Sequence, residues 1–293
     1  MTDPGLEVRF TRVLAALAAR PDCHVLVDCG DHPVTAADDP VEVGDAEVVR
    51  VVWPQCPTGA PDWMLVDLAV AAGGSVVVEA AGCEADSSGV ADLARLTGGR
   101  VQPGSIDAAP VAVLSVAHPP MSRRGILGRA PAAVVEHADP DPRARLVESL
   151  RAMGGDVGGR SPALELDASA CIACGVCVKA CPHDALDLGT ADGRTTLVQY
   201  PDRCRGEQAC VTSCPSRVIE VRGQHDWATV LAGRPLPLAR LATTSCQKCR
   251  GTIPQGRTMC QACSDRARDP FGTHLPDHLL DSLPAKYRDR LRG

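Results

Sequence analysis

The sequence predicts three units. They are an α/β N-terminal domain with a parallel sheet, an α+β cysteine-rich module, and a small C-terminal ribbon held by four cysteines. Three observations predict them. Strand-like and helix-like runs alternate over residues 1–120. A C-x2-C-x2-C-x3-C-P run starting at Cys171 returns, altered at one position, at an offset of 33 residues. Two C-x2-C pairs then follow, beginning at Cys246 and Cys260. The expected divisions are a domain over 1–120, a linker over 121–160, the cysteine module over 161–224, and the ribbon with its tail over 225–293.

In the first domain, Leu6, Phe10, Val13, Leu14 and Leu17 recur near helical spacing, so a helix is expected over 5–20, ended by Pro21. Val25–Val27 reads as a strand and is followed by a polar loop containing Asp31, Asp38, Asp39 and Pro40. Val48–Trp53 is a second strand. Pro61 opens a helix through Trp63, Leu65, Val66 and Leu68, and Gly73-Gly74 stops it. Ser75–Val78 is a buried strand, Ser88–Leu96 a helix stopped by Gly98-Gly99, and Val111–Val116 a further strand. This alternation implies crossover helices on a parallel sheet.

Cys29, Cys56 and Cys83 each fall just after one of these strands, on the sheet edge where α/β domains bind ligands, whereas Cys23 precedes its strand. The order strand, Cys56-Pro57-Thr58-Gly59, helix, strand, Gly82-Cys83 resembles the iron–sulfur delta subunit of methyl-viologen-reducing hydrogenases. That resemblance implies a [2Fe–2S] cluster passing electrons between subunits. Family loops carry extra cysteines after the first and third strands, where this chain has one in each place. The alternative is a set of free thiols in a docking domain. No G-x-G-x-x-G or Walker-type loop occurs, so nucleotide binding has no support.

Residues 118–142 have linker composition, with His118-Pro119-Pro120 and Asp139-Pro140-Asp141-Pro142. Ser122-Arg123-Arg124-Gly125-Ile126-Leu127 has the letters of a twin-arginine export signal. It lies in mid-chain without an apolar segment after it, and reads as a basic linker. Arg143–Met153 reads as one helix, and Gly154-Gly155 with Gly158-Gly159 as a joint.

The module's first half runs Cys171-Ile172-Ala173-Cys174-Gly175-Val176-Cys177-Val178-Lys179-Ala180-Cys181-Pro182. Three thiolates spaced by two residues can curl around one face of an iron–sulfur cubane, and small residues between them let backbone N–H groups approach the sulfides. The fourth cysteine, followed by proline, leaves the loop for the other cluster. In the second copy Cys204, Cys210, Cys214 and Pro215 repeat Cys171, Cys177, Cys181 and Pro182. Cys174 alone is replaced, by Glu207.

The pattern resembles the bacterial-type dicluster ferredoxin family, including members with one incomplete motif. Crossed ligation then gives cluster one to Cys171, Cys174, Cys177 and Cys214, as [4Fe–4S]. Cluster two falls to Cys181, Cys204 and Cys210, with Glu207 at the fourth corner. A carboxylate is a harder ligand than a thiolate, so cluster two is either [3Fe–4S], or [4Fe–4S] with one iron held by Glu207 or solvent. Asp192-Gly193 marks a hairpin turn within the module, and His183 beside Pro182 reads as a local polar contact.

Trp227–Leu231 reads as a short helix. Cys246, Cys249, Cys260 and Cys263 form two knuckles that fit a four-cysteine zinc ribbon, with a rubredoxin-like iron site as the alternative. The ribbon would stabilise the C-terminal segment or dock a partner. Leu275, Leu279, Leu280 and Leu283 give the tail a short apolar face.

The 15 cysteines, grouped in this way, read as metal ligands in a reducing compartment, here the cytoplasm, rather than as disulfides. Met1–Phe10 carries Asp3 and Glu7 and lacks the apolar core of a signal peptide. No apolar run approaches the ~18 residues of a membrane span, so membrane insertion is not expected. Residues 1–120 hold 6 Lys/Arg against 17 Asp/Glu, and residues 224–293 hold 11 against 6. The acidic first domain disfavours nucleic acid there. No catalytic Ser/His/Asp or Cys/His set can be argued.

Electron transfer with redox enzyme subunits or electron carriers is therefore the expected function. The alternatives are an iron–sulfur sensor that binds nucleic acid through its basic tail, and an oxidoreductase acting at the incomplete cluster.

Overall fold

A computed structural model describes residues 4–29, 40–79, 87–120, 134–135, 137–155 and 157–268, with positions 281, 282, 284, 285 and 288. It divides into two compact units, Met1–Gly159 and Arg160–Gly293.

The first unit contains a five-stranded sheet in the order β4-β3-β1-β2-β5. The strands are β1 (Cys23–Cys29), β2 (Val48–Trp53), β3 (Gly73–Val78), β4 (Val101–Pro103) and β5 (Ala112–Ser115). Every pairing is parallel, as the alternation of elements implied. Central β1 is buried almost throughout, the pattern of a strand covered on both faces. Among the described residues before 121, the α-helices are α1 (Pro4–Leu17), α2 (Asp62–Ala72) and α3 (Ser88–Leu96).

Helix α2 is apolar nearly all round and correspondingly buried, from Trp63 to Ala72. Gly73 ends it in the left-handed region at φ 76° and is also the first residue of β3. A Cβ at Gly74 would collide with the Cys23 carbonyl oxygen. The glycine pair therefore stops the helix and lets β3 run close beside β1. Cys23, expected ahead of its strand, is the first residue of β1.

The segment expected as a linker contains α4 (Pro142–Met153), which packs on α2. The Asp141 side chain caps it by accepting from the Ala144 N–H at 2.9 Å. Just before it, His137 sits between two carboxylates, 2.8 Å from Asp67 and 3.1 Å from Glu148. The twin-arginine run lies outside the described residues.

The second unit begins with a β-α-β-β-α-β order: β6 (Arg160–Asp167), α5 (Val176–Ala180), β7 (Leu186–Ala191), β8 (Arg194–Gln199), α6 (Ala209–Thr212) and β9 (Glu220–Asp226). The 33-residue offset carries β6 onto β8, α5 onto α6 and β7 onto β9, so the sequence repeat is also a structural one. Strands β6 and β9 pair antiparallel, as do β7 and β8. The β7–β8 turn is Asp192-Gly193, both at positive φ (49° and 70°), the geometry of a tight hairpin. Leu164, Leu166, Leu186, Leu197 and Ile219 form the core together with Cys177, Cys210 and Cys214.

The helix expected near Trp227 is present as α7 (Trp227–Ala232). After it, β10 (Leu236–Ser245) pairs with β8 from Leu236 to Ala242, and then with β11 (Thr252–Pro254) from Thr243. The ribbon thus grows from the module's own sheet, in the order β11-β10-β8-β7. Helix α8 (Gln261–Arg268) follows. The tail leucines, Leu283 included, lie outside the described residues.

Candidate metal centres

The first centre is built by the loop between β6 and α5 and by the chain after α6. Cys171, Cys174, Cys177 and Cys214 line one cavity, walled by Ile172, Leu188, Val218 and Ile219. These are the four thiols that the dicluster ferredoxin resemblance assigns to cluster one. Burial first, and then the neighbouring thiols Cys174 and Cys214, push the Cys171 thiol up. Cys177 is pushed up to about 12 by burial, followed by Cys171, Cys174 and Cys210. The Ala173 N–H donates to Cys171 Sγ at 3.3 Å.

The second centre gathers Cys181, Cys204 and Cys210. Burial, then Cys204 and Cys181, push the Cys210 thiol up to about 11. The Ala185 N–H donates to Cys181 Sγ at 3.4 Å. Glu207 accepts a hydrogen bond from His183 Nε2 at 3.0 Å, and its side chain is 54% exposed. The two centres are near enough for Cys210 to act on the Cys177 thiol.

The loops around the two centres share an unusual backbone. Ala173 and Gly206 occupy repeat-related positions, and both are left-handed, at φ 57° and 85°. So are Gly175 and Gln208 (73° and 59°), and Asp184 and Arg217 (49° and 52°). Non-glycine residues enter this region at a cost of roughly 1–2 kcal/mol, so its recurrence marks a loop shape imposed by what it surrounds. The donor set of the first centre fits a cubane cluster: four thiols line a space with aliphatic walls, and an N–H group is directed at sulfur.

The third centre is the ribbon. Cys246, Cys249, Cys260 and Cys263 place their sulfurs within 4.8 Å of one another, close enough for a single ion. The first knuckle turns between β10 and β11, and the second opens α8. N–H groups of Cys249, then Cys260 and Lys248, hold the Cys246 thiol down at about 6. The hydrogen bond to Cys260 leads in pushing Cys263 up to about 12.

In the N-terminal unit, Cys29 ends β1 and Cys56 follows β2, which puts both on the carboxyl edge of the sheet. Cys29 is buried, and Cys56 Sγ lies 3.1 Å from Thr58 Oγ1. Cys83 lies outside the described residues.

A cavity of about 480 Å³ in the same unit is lined by Phe10, Trp63, Asp67, His137 and Arg145. Its charged groups engage one another: Arg145 pairs with Glu7 at 2.8 Å and stacks on Trp63, while His137 bridges Asp67 and Glu148. This is a clasp fixing α4 and the segment before it to α1 and α2. Sequence reading missed it because the His137 partners are 70 and 11 residues away, with no local pattern to announce them.

Comparison with known proteins agrees with the cysteine geometry. Residues 170–218 match the 4Fe-4S dicluster domain family. A ferredoxin of Pyrobaculum islandicum (strain DSM 4184 / JCM 9189 / GEO3) is 39% identical over 54 residues. That match covers 18% of this chain and 48% of the ferredoxin, about half its length. Residues 170–218 are a dicluster ferredoxin domain, and the domain binds 4Fe–4S.

Proposed function

We propose that this chain is an iron–sulfur electron-transfer protein, a subunit or carrier serving a redox enzyme complex. The observation that carries the reading is the pairing of two cysteine centres in one pseudo-symmetric core, where Cys177 of one and Cys210 of the other share a cluster of buried residues and Cys210 acts electrostatically on Cys177. Two centres so close form a path for electrons taken up and released one at a time.

Cys171, Cys174, Cys177 and Cys214 hold a [4Fe–4S] cluster. Cys181, Cys204 and Cys210 hold the second, with Glu207 at its fourth corner. When bound, the clusters supply reversible one-electron chemistry. The chain supplies the remainder. Leu188, Val218 and Ile219 give the first centre an aliphatic wall, and the N–H groups of Ala173 and Ala185 stabilise charge on sulfur.

Cys246, Cys249, Cys260 and Cys263 hold zinc, which has no redox chemistry and fixes the ribbon to the shared sheet. Redox enzyme subunits or electron carriers are the partners, in a reducing compartment such as the cytoplasm. Among the described residues no helix is long and apolar enough to cross a membrane.

The test is anaerobic reduction of the loaded protein with a one-electron donor, followed by rapid mixing with a one-electron acceptor such as an oxidised viologen. Electron transfer in proportion to the clusters present, without any organic substrate, is the expected result. Clusters that cannot be reduced and re-oxidised reversibly would overturn the reading.

A further inference from the structure

We infer that His183 is the positioning residue for the fourth corner of the second cluster, holding Glu207 so that its carboxylate serves as an iron ligand. The inference rests on the two-cluster reading above and settles how that corner is closed.

Glu207 as a carboxylate can only accept, so His183 Nε2 is the donor in the 3.0 Å contact between them. One Glu207 oxygen is thereby fixed and the other is left for iron. Ligating carboxylates are generally anchored by such an outer hydrogen bond, because it fixes the group's orientation. A glutamate has three rotatable bonds and needs the anchor more than a cysteine does.

The internal repeat supplies an independent argument. Position 207 corresponds to Cys174, and position 183 corresponds to Ser216. Cys174 and Ser216 line the same cavity in the first centre. Glu207 and His183 therefore stand, in the second centre, where the first has Cys174 and Ser216, and they touch each other. The loop has also kept its cluster-wrapping backbone there. Gly206 and Gln208, on either side of Glu207, are left-handed like Ala173 and Gly175. Gln208 holds that conformation without being glycine. A corner that had simply lost its ligand would have no such shape to preserve. His183 is itself fixed from both sides, following Cys181-Pro182 and preceding Asp184 at φ 49°.

The test compares wild type, His183→Ala, His183→Gln, Glu207→Ala and Cys204→Ser, purified anaerobically, by iron per chain and by EPR of the oxidised proteins. Wild type is expected to hold about eight cluster irons and to be silent when oxidised. His183→Ala and Glu207→Ala should each lose about one iron and gain the oxidised [3Fe–4S] signal. His183→Gln keeps a donor at the same reach and should retain most of the fourth iron.

A wild-type protein with about seven irons and that signal would overturn the inference, as would a His183→Ala protein indistinguishable from wild type. The two-cluster reading fails separately, if Cys204→Ser leaves all the iron in place.

Discussion

Gly206→Ala tests the shape of the second cluster loop, and the structure sets the size of its effect. Gly206 has φ 85°, and a Cβ there would lie 2.6 Å from the Pro162 carbonyl oxygen of β6. The left-handed backbone costs a residue with a side chain roughly 1–2 kcal/mol. The clash is with backbone, which cannot rotate away, and overpacking of this kind costs about 1–3 kcal/mol. Together they predict a loss of about 2–5 kcal/mol, felt first where β6 meets the second centre.

The repeat provides the control. Ala173 stands at the same place in the first half at φ 57°, so that half already carries the conformational cost. Ala173→Gly should be nearly neutral or mildly stabilising. The assay is thermal unfolding of the loaded protein under nitrogen, together with the rate of iron release to a chelator. Gly206→Ala should melt lower and release the second cluster's iron first. If it unfolds and releases iron like wild type, the close approach of β6 to this loop is refuted.

Other substitutions probe other parts of the account. Cys214→Ser should destroy the first cluster although Cys214 belongs to the second motif, and Cys181→Ser should do the reverse. Spectra in which each variant loses the cluster of its own motif would reject crossed ligation. His137→Ala leaves Asp67, 1% exposed, without its partner, and should cost about 3–5 kcal/mol in thermal unfolding. Burial pulls the His137 pKa down, but the hydrogen bonds and charges of Asp67, then Glu148, outweigh it, and the net shift is upward from 6.5. The clasp's contribution is therefore complete below about pH 6.5 and is lost as pH rises through the folded value. A melting temperature independent of pH over that window would contradict it. Removal of residues 243–293 should abolish zinc and spare iron, because β10 finishes pairing with β8 at Ala242 and begins pairing with β11 at Thr243. Loss of iron in that truncation would show that the ribbon supports the clusters.

The cysteine groups were legible because their members sit at short, fixed spacings, and the grouping of Cys214 with Cys171, Cys174 and Cys177 in one cavity is the arrangement that the dicluster ferredoxin resemblance implies. The alternation of α2, β3 and α3 was legible for the same reason, since each element carries its own period and stop signal. Strands β6 and β10 were not. Gly154-Gly155 and Gly158-Gly159 read as a joint just ahead of β6, β6 itself contains Pro162, and β10 contains Pro237, Arg240 and three polar residues at its end. Each becomes a strand because a partner lies beside it: β9 for β6, and β8 for β10. The contact of His183 with Glu207 spans 24 residues. The 33-residue offset aligns His183 with Ser216 and Glu207 with Cys174, but most positions between the halves differ, so it does not single out this pair.

The central claim is that this chain holds two iron–sulfur clusters on a crossed set of ligands and a separate zinc. Anaerobic purification with counts of iron, sulfide and zinc per chain, and EPR of the oxidised and reduced protein, tests it most directly. The account predicts about eight irons with matching sulfide, one zinc held by the ribbon, and a reduced spectrum showing two interacting clusters. A count of about four irons with a single reduced cluster would contradict it.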